Sequence, residues 1–254
     1  QGYSSAASDV YKRQIPSSRF WFCLNGVAWY LSVQAFLYAI FPWLLAVLKK
    51  TDTRRLRCIA AAIFCAQFLF SFAIWKAGLS GKAVFYLTYL CPLFRAGDFA
   101  ISCCMGCLYR SRKEERIPYG AFSLLELAAV LFSGGCFFIA ARQVGALGAV
   151  AFRYNVLFTP SAVLLVWLLA VGKGVISRLL SAKPFLWLAG LSPYGFLIHQ
   201  VLIRYMELAA NKLGLTAHPV VWTLTVFLLT LCLSSFYKAL EHRVRGRHGK
   251  AAAQ

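Results

Sequence analysis

The chain is 254 residues long, 60% hydrophobic and only 14% charged, with a mean hydropathy of +0.66. Soluble globular domains carry about 25% charged residues, so a soluble fold is excluded and a lipid-embedded one is required. Its 27 Lys and Arg against 8 Asp and Glu leave a charge of +19; a soluble protein so basic would suggest nucleic acid as partner, but in a membrane protein cytoplasmic loops retain Lys and Arg.

Residues 1–14, QGYSSAASDVYKRQ, lack the apolar core of a secretory signal. The stretch Asp9 to Gln14 reads like a translated transposon end from sequencing-library preparation. Residues 1–14 are therefore expected to be a non-native or disordered leader, residues 15–245 a partial membrane domain, and 246–254 a disordered cytoplasmic tail. Seven apolar runs follow, at about 26–48, 58–75, 84–109, 120–141, 155–172, 185–204 and 219–239. Each is long enough for a spanning helix, and no alternating barrel pattern appears. The expected fold is an all-α, multi-pass transmembrane bundle of about seven spanning helices.

The connections set an orientation. Those after the first, third, fifth and seventh runs include KKTDTRRLR and RSRKEER and hold seventeen Lys and Arg, against six on the opposite side. The positive side is expected in the cytoplasm, which places the C-terminus there and the start of the first run outside. Segment 174–187, GVISRLLSAKPFLW, reads either as an amphipathic helix on the cytoplasmic surface or as a plain loop.

Ionisable groups inside spans are costly and mark candidate sites. Arg95 and Asp98 in PLFRAGDFAISCCMG are three residues apart on one helix face. Together they form either a structural ion pair or a planar donor fork for a substrate, oriented by the carboxylate. Glu126 in the fourth run either snorkels to the headgroups, pairs with an Arg, or lines a site. His199 is the one histidine within an expected span, held structurally or acting on a proton. Gln34, Asn25, Ser32 and Gln200 offer interhelical hydrogen bonds. Cys103, Cys104 and Cys107 contain a CxxC but have no second ligand pair at zinc spacing, so no metal is assigned. Trp29, Trp43, Trp75, Tyr86 and Trp187 read as an interfacial aromatic belt.

Three passages in order, NGVAWYLSVQAFLYAIFP (Asn25 to Pro42), CPLFRAGDFAISCCMG (Cys91 to Gly106) and LAGLSPYGFLIHQVLI (Leu188 to Ile203), resemble the acyltransferase 3 family of integral membrane enzymes over about residues 20–245. The resemblance implies transfer of an acyl group, acetyl in this reading, from cytoplasmic acyl-CoA to a hydroxyl of an exported or cell-surface glycan at the cell membrane. Acyl-CoA is then a co-substrate; no bound cofactor is implied, and the partners are membrane lipids, acyl-CoA and a carbohydrate acceptor, with no nucleic acid.

Two departures stand out. Gln34 stands where many members carry an acid, and the family's Arg followed some ten residues later by His in its first helix has no counterpart here. The resemblance therefore places the catalytic His upstream of this chain. No catalytic residue is assigned within it, and the chain as it stands is expected not to turn over. Arg95, Asp98, Glu126, His199, Gln34 and Trp29 remain substrate-binding or structural candidates, His199 matching the family's late His. The competing readings are a fragment of a secondary transporter or flippase with Arg95 and Asp98 on its path, and a scaffold whose intramembrane charges only pair with each other.

Overall fold

A computed structural model describes residues 28–112, 118–214 and 218–251. The leader at 1–14 and Asn25 lie outside the described residues. All regular structure among the described residues is helical, the outcome lipid imposes on a chain that must satisfy its own backbone hydrogen bonds. The chain divides into two compact units, one from Trp29 to Leu180 and one from Ser181 onward.

The first unit opens with α1 (Ala28–Leu48) and α2 (Thr53–Lys76). The sequence reading starts the second span at 58, but the structure starts it at Thr53 because Asp52 caps the helix, its side chain accepting from Arg55 N at 2.9 Å. Arg54, Arg55 and Arg57 thus ride on the first turns of α2 and not in a loop.

The third span, Gly81–Ser111, is interrupted. It runs through α3 (Gly81–Phe85), a π-helical turn (Tyr86–Leu90) and α4 (Pro92–Ser111). Cys91 between them is extended, with φ −63° and ψ 120°, as expected of a residue before proline, and Pro92 then opens α4 where its missing N–H is harmless. Next come α5 (Tyr119–Arg142), a 3-10 turn (Ala146–Gly148), α6 (Val150–Arg153), α7 (Thr159–Val171) and α8 (Val175–Leu180).

Four of the expected spans in this unit have helices long and apolar enough to cross a membrane, but the fifth, at 155–172, does not: α7 has 13 residues, about 20 Å of helix against the ~30 Å of bilayer hydrocarbon. The second unit supplies one straight span within α11 (Pro219–Ala251) and one bent pair, α9 (Lys183–Ala189) and α10 (Ser192–Leu213), kinked by 58°. Among the described residues the count is therefore five helices long and apolar enough to span, or six with the bent pair as one span, where the sequence reading expects about seven. Segment 174–187 is helical in two pieces, with Pro184 opening the second. The final helix runs to Ala251.

Within the first unit α2 packs along α4 and α5 along α7. Close approach of α2 and α4 depends on Gly97, where a Cβ would stand 2.6 Å from Gln67 Nε2. Ile74, Val84, Phe94 and Phe152 form one buried cluster, Phe122, Ala129, Leu168 and Val171 another, and Leu48, Leu56 and Cys104 a third. Leu69, Leu131 and Phe137 point outward, toward lipid in this setting. In the second unit α10 packs on α11.

Candidate functional site

The interruption at Cys91 puts Arg95 and Asp98 in the first two turns of α4. Arg95 Nη1 donates to Asp98 Oδ2 at 2.9 Å, the i,i+3 pair read from the sequence, with side chains 24% and 27% exposed. Such exposure means that the pair is not sealed between helices. It opens onto a cavity of about 560 Å³ along α4 and α7, with Tyr154, Asn155 and Thr159 at the same end and Tyr109 and Trp167 further along.

Each member of this end is held from outside. The Arg95 guanidinium lies over the Tyr89 ring at 5.2 Å, and Tyr89 stacks on Trp29 at 4.8 Å and Tyr154 at 5.3 Å. Trp29, read from the sequence as belt, is therefore a support for the Arg95 platform. Asp98 Oδ1 accepts from Gln67 Nε2 at 3.2 Å, while the same amide donates to Phe94 O at 2.9 Å. Asp98 is the one hydrogen-bond acceptor of Arg95 among the described residues. Of the five N–H donors of a guanidinium, most remain available to a ligand.

Asn155 adds a second open group. Its Oδ1 accepts from Thr159 Oγ1 at 3.3 Å, and its Nδ2 faces the Asp98 carboxylate just outside hydrogen-bond geometry, in a residue only 5% exposed. A buried amide whose hydrogen bond is not fully made is costly, and this one lines the cavity. At the other end, Tyr109 Oη donates to Ala170 O at 2.8 Å and its ring packs edge-on to Trp167. Paired charges, an amide and aromatic walls thus meet on one cavity.

The other candidates do different work. Glu126 is fully buried on α5, and among the described residues no Lys or Arg forms an ion pair with it. Its carboxylate accepts from Ile176 N at 2.8 Å and from Gly174 N and Ser177 N at 3.2 Å each, while Ser123 Oγ accepts from Val175 N at 3.2 Å. Glu126 neither snorkels nor pairs with Arg: it binds the exposed N–H groups where α8 begins, satisfying donors that any helix start leaves open. The chain must come close to do so, and a Cβ at Gly174 would overlap the Glu126 carboxylate.

Gln34 donates to Tyr38 Oη at 2.6 Å, one turn along its own helix, and does not line the cavity. His199, in the second unit, places Nδ1 3.0 Å from Gly195 O. A carbonyl only accepts, so Nδ1 carries a proton, and in the neutral ring Nε2 holds the lone pair. Gln67, Tyr89, Tyr154, Asn155 and Thr159 were not singled out from the sequence. Gln67 sits mid-span, where the rule used for Gln34 and Gln200 would have found it; Asn155 opens the expected fifth span and is easily passed over beside its apolar neighbours.

The chain matches the family model described as an acyltransferase domain over residues 2–238. No curated protein and no solved structure matches it. With the match covering nearly all of an all-helical, multi-span chain, the protein belongs to the acyltransferase 3 family.

Proposed function

We propose that this chain carries the acceptor-binding part of a membrane O-acyltransferase, which moves an acyl group, acetyl in the first instance, from acyl-CoA on the cytoplasmic side to a hydroxyl of an exported or cell-surface glycan. In the reaction the thioester C–S bond breaks, the acceptor oxygen forms the new ester bond, and the hydroxyl proton ends on the CoA sulfur. The observation that carries the reading is the open Arg95–Asp98 pair beside the loosely held Asn155 amide on an aromatic-walled cavity. A scaffold would pair these groups fully.

Arg95 and Asp98 bind and orient the sugar. Asp98, whose two oxygens accept from Arg95 and Gln67, is assigned the orienting role. Proton removal falls to a residue outside this cavity lining. The cytoplasmic assignment rests on the basic connections at Lys49–Arg57 and Arg110–Arg112.

The test is saturable retention of [14C]acetyl-CoA by the purified chain in neutral phosphatidylcholine nanodiscs, competed by CoA. The reading fails if no saturable retention is found. In membranes containing glycan, any label transferred must disappear in Arg95→Ala and fall in Arg95→Lys, which keeps the charge but loses the fork. Transfer that survives Arg95→Ala removes this cavity from the reaction.

A further inference from the structure

A second cavity, of about 880 Å³, lies on the adjoining face of α4, between the end of α1, the start of α2 and the last turns of α4. Its walls are apolar in depth, with Phe41, Leu45 and Leu56, and its rim carries Lys49 and Arg110 from two different helix ends. Among the described residues the one acid on the rim, Asp52, is committed elsewhere: it caps α2 and pairs with Arg55 Nε at 3.2 Å. The two rim cations are therefore not neutralised by it.

Ser102 and Gly106, one helical turn apart, line both cavities. They form the step between a cation-rimmed slot and the Arg95 cavity. A Cβ built on Gly106 meets nothing within 4 Å, so the step has open space above it that a larger side chain would fill. The fitting ligand is long, anionic at one end and apolar or neutral at the other.

Building on the acyltransferase reading, we propose that this second cavity is the donor end of the site. It holds a phosphate-bearing acyl thioester with its phosphates against Lys49 and Arg110 and its acyl group at the Ser102–Gly106 step, and Gly106 sets the largest acyl group that fits. Charge complementarity selects the anionic end, and the shared step delivers the acyl group to the cavity holding the acceptor. Gly106 is then a specificity-determining position.

The experiment uses the whole chain in phosphatidylcholine nanodiscs and measures equilibrium binding of labelled acetyl-CoA and unlabelled CoA and hexanoyl-CoA competitors. Lys49→Glu with Arg110→Glu is expected to weaken acetyl-CoA at least about tenfold, the loss of charge-assisted contacts, while Lys50→Glu, which does not line the cavity, changes it less than about twofold. Gly106→Phe is expected to bind CoA as the wild type does and to lower the hexanoyl-CoA to CoA affinity ratio.

If acetyl-CoA binds but ignores the double charge reversal, or if the ratio is unchanged in Gly106→Phe, the donor assignment is overturned and the acyltransferase reading stands. If the wild type binds no acetyl-CoA, that reading itself falls. If phosphatidylglycerol in the disc displaces acetyl-CoA in a way that needs Lys49 and Arg110, the slot is a lipid-headgroup site and the proposal is overturned.

Discussion

Glu126 and Gly174 should be energetically coupled, and the coupling can be sized from the geometry. Glu126→Ala removes the acceptor of three backbone N–H groups, but Gly174 N also donates to Ser177 Oγ at 3.2 Å and keeps a partner. The groups stranded are Ile176 N and Ser177 N. At about 1–3 kcal/mol for each buried unsatisfied donor, the expected loss for the two is about 2–6 kcal/mol.

Gly174→Ala alone pushes a methyl into a carboxylate pinned by those same bonds, an overpacking cost of about 1–3 kcal/mol. In the Glu126→Ala background the carboxylate is gone and the methyl enters vacated space, so the second substitution should cost almost nothing. Thermal melts of the wild type, both single variants and the double variant, with hydrogen-exchange protection of residues 175–180 as the local readout, complete the cycle. Coupling of about 1–3 kcal/mol is expected. Additivity within about 0.5 kcal/mol, or wild-type exchange in Glu126→Ala, would refute the account of Glu126 as the anchor of α8.

Gly97→Ala should separate α2 from α4 and lower stability by about 1–3 kcal/mol, with Gln67→Ala restoring much of it by removing the obstructing amide; thermal melts read both. Tyr194 donates to Glu241 from α10 to α11, and Tyr194→Phe should destabilise that helix pair by about 1–3 kcal/mol, the scale of a hydrogen bond to a charged group, visible as faster proteolysis within α11. A phosphatase reporter fused after Gln254 should be inactive and a fluorescent protein there should fluoresce, as a cytoplasmic C-terminus requires; the reverse pattern overturns the orientation.

The apolar runs and their flanking charges were enough to place most helices to within a few residues, since composition alone decides what lipid accepts. Arg95 and Asp98 were legible because their partnership is local, three residues along one helix. Glu126 was legible as a costly residue but not in its role, because its partners lie about fifty residues away and backbone N–H groups leave no mark in a sequence. Asn155 was hidden for a related reason. Its surroundings are set by the fold that brings residues 154–159 beside α4, and no local pattern encodes that. The fifth span was misjudged because Val156, Leu157 and Phe158 are as apolar as a helix end yet form turns before Thr159.

That shortfall in α7 has a consequence for where water goes. The 24 residues of α2 or α5 reach about 36 Å, but the 13 of α7 reach only about 20 Å. A hydrophobic mismatch of about 10 Å against the bilayer core is made up by irregular backbone, which is tolerated at that depth only where protein covers it or water bathes it. Tyr154 and Asn155 sit in that stretch. The Arg95 end of the cavity is therefore where irregular backbone at membrane depth calls for protein cover or for water.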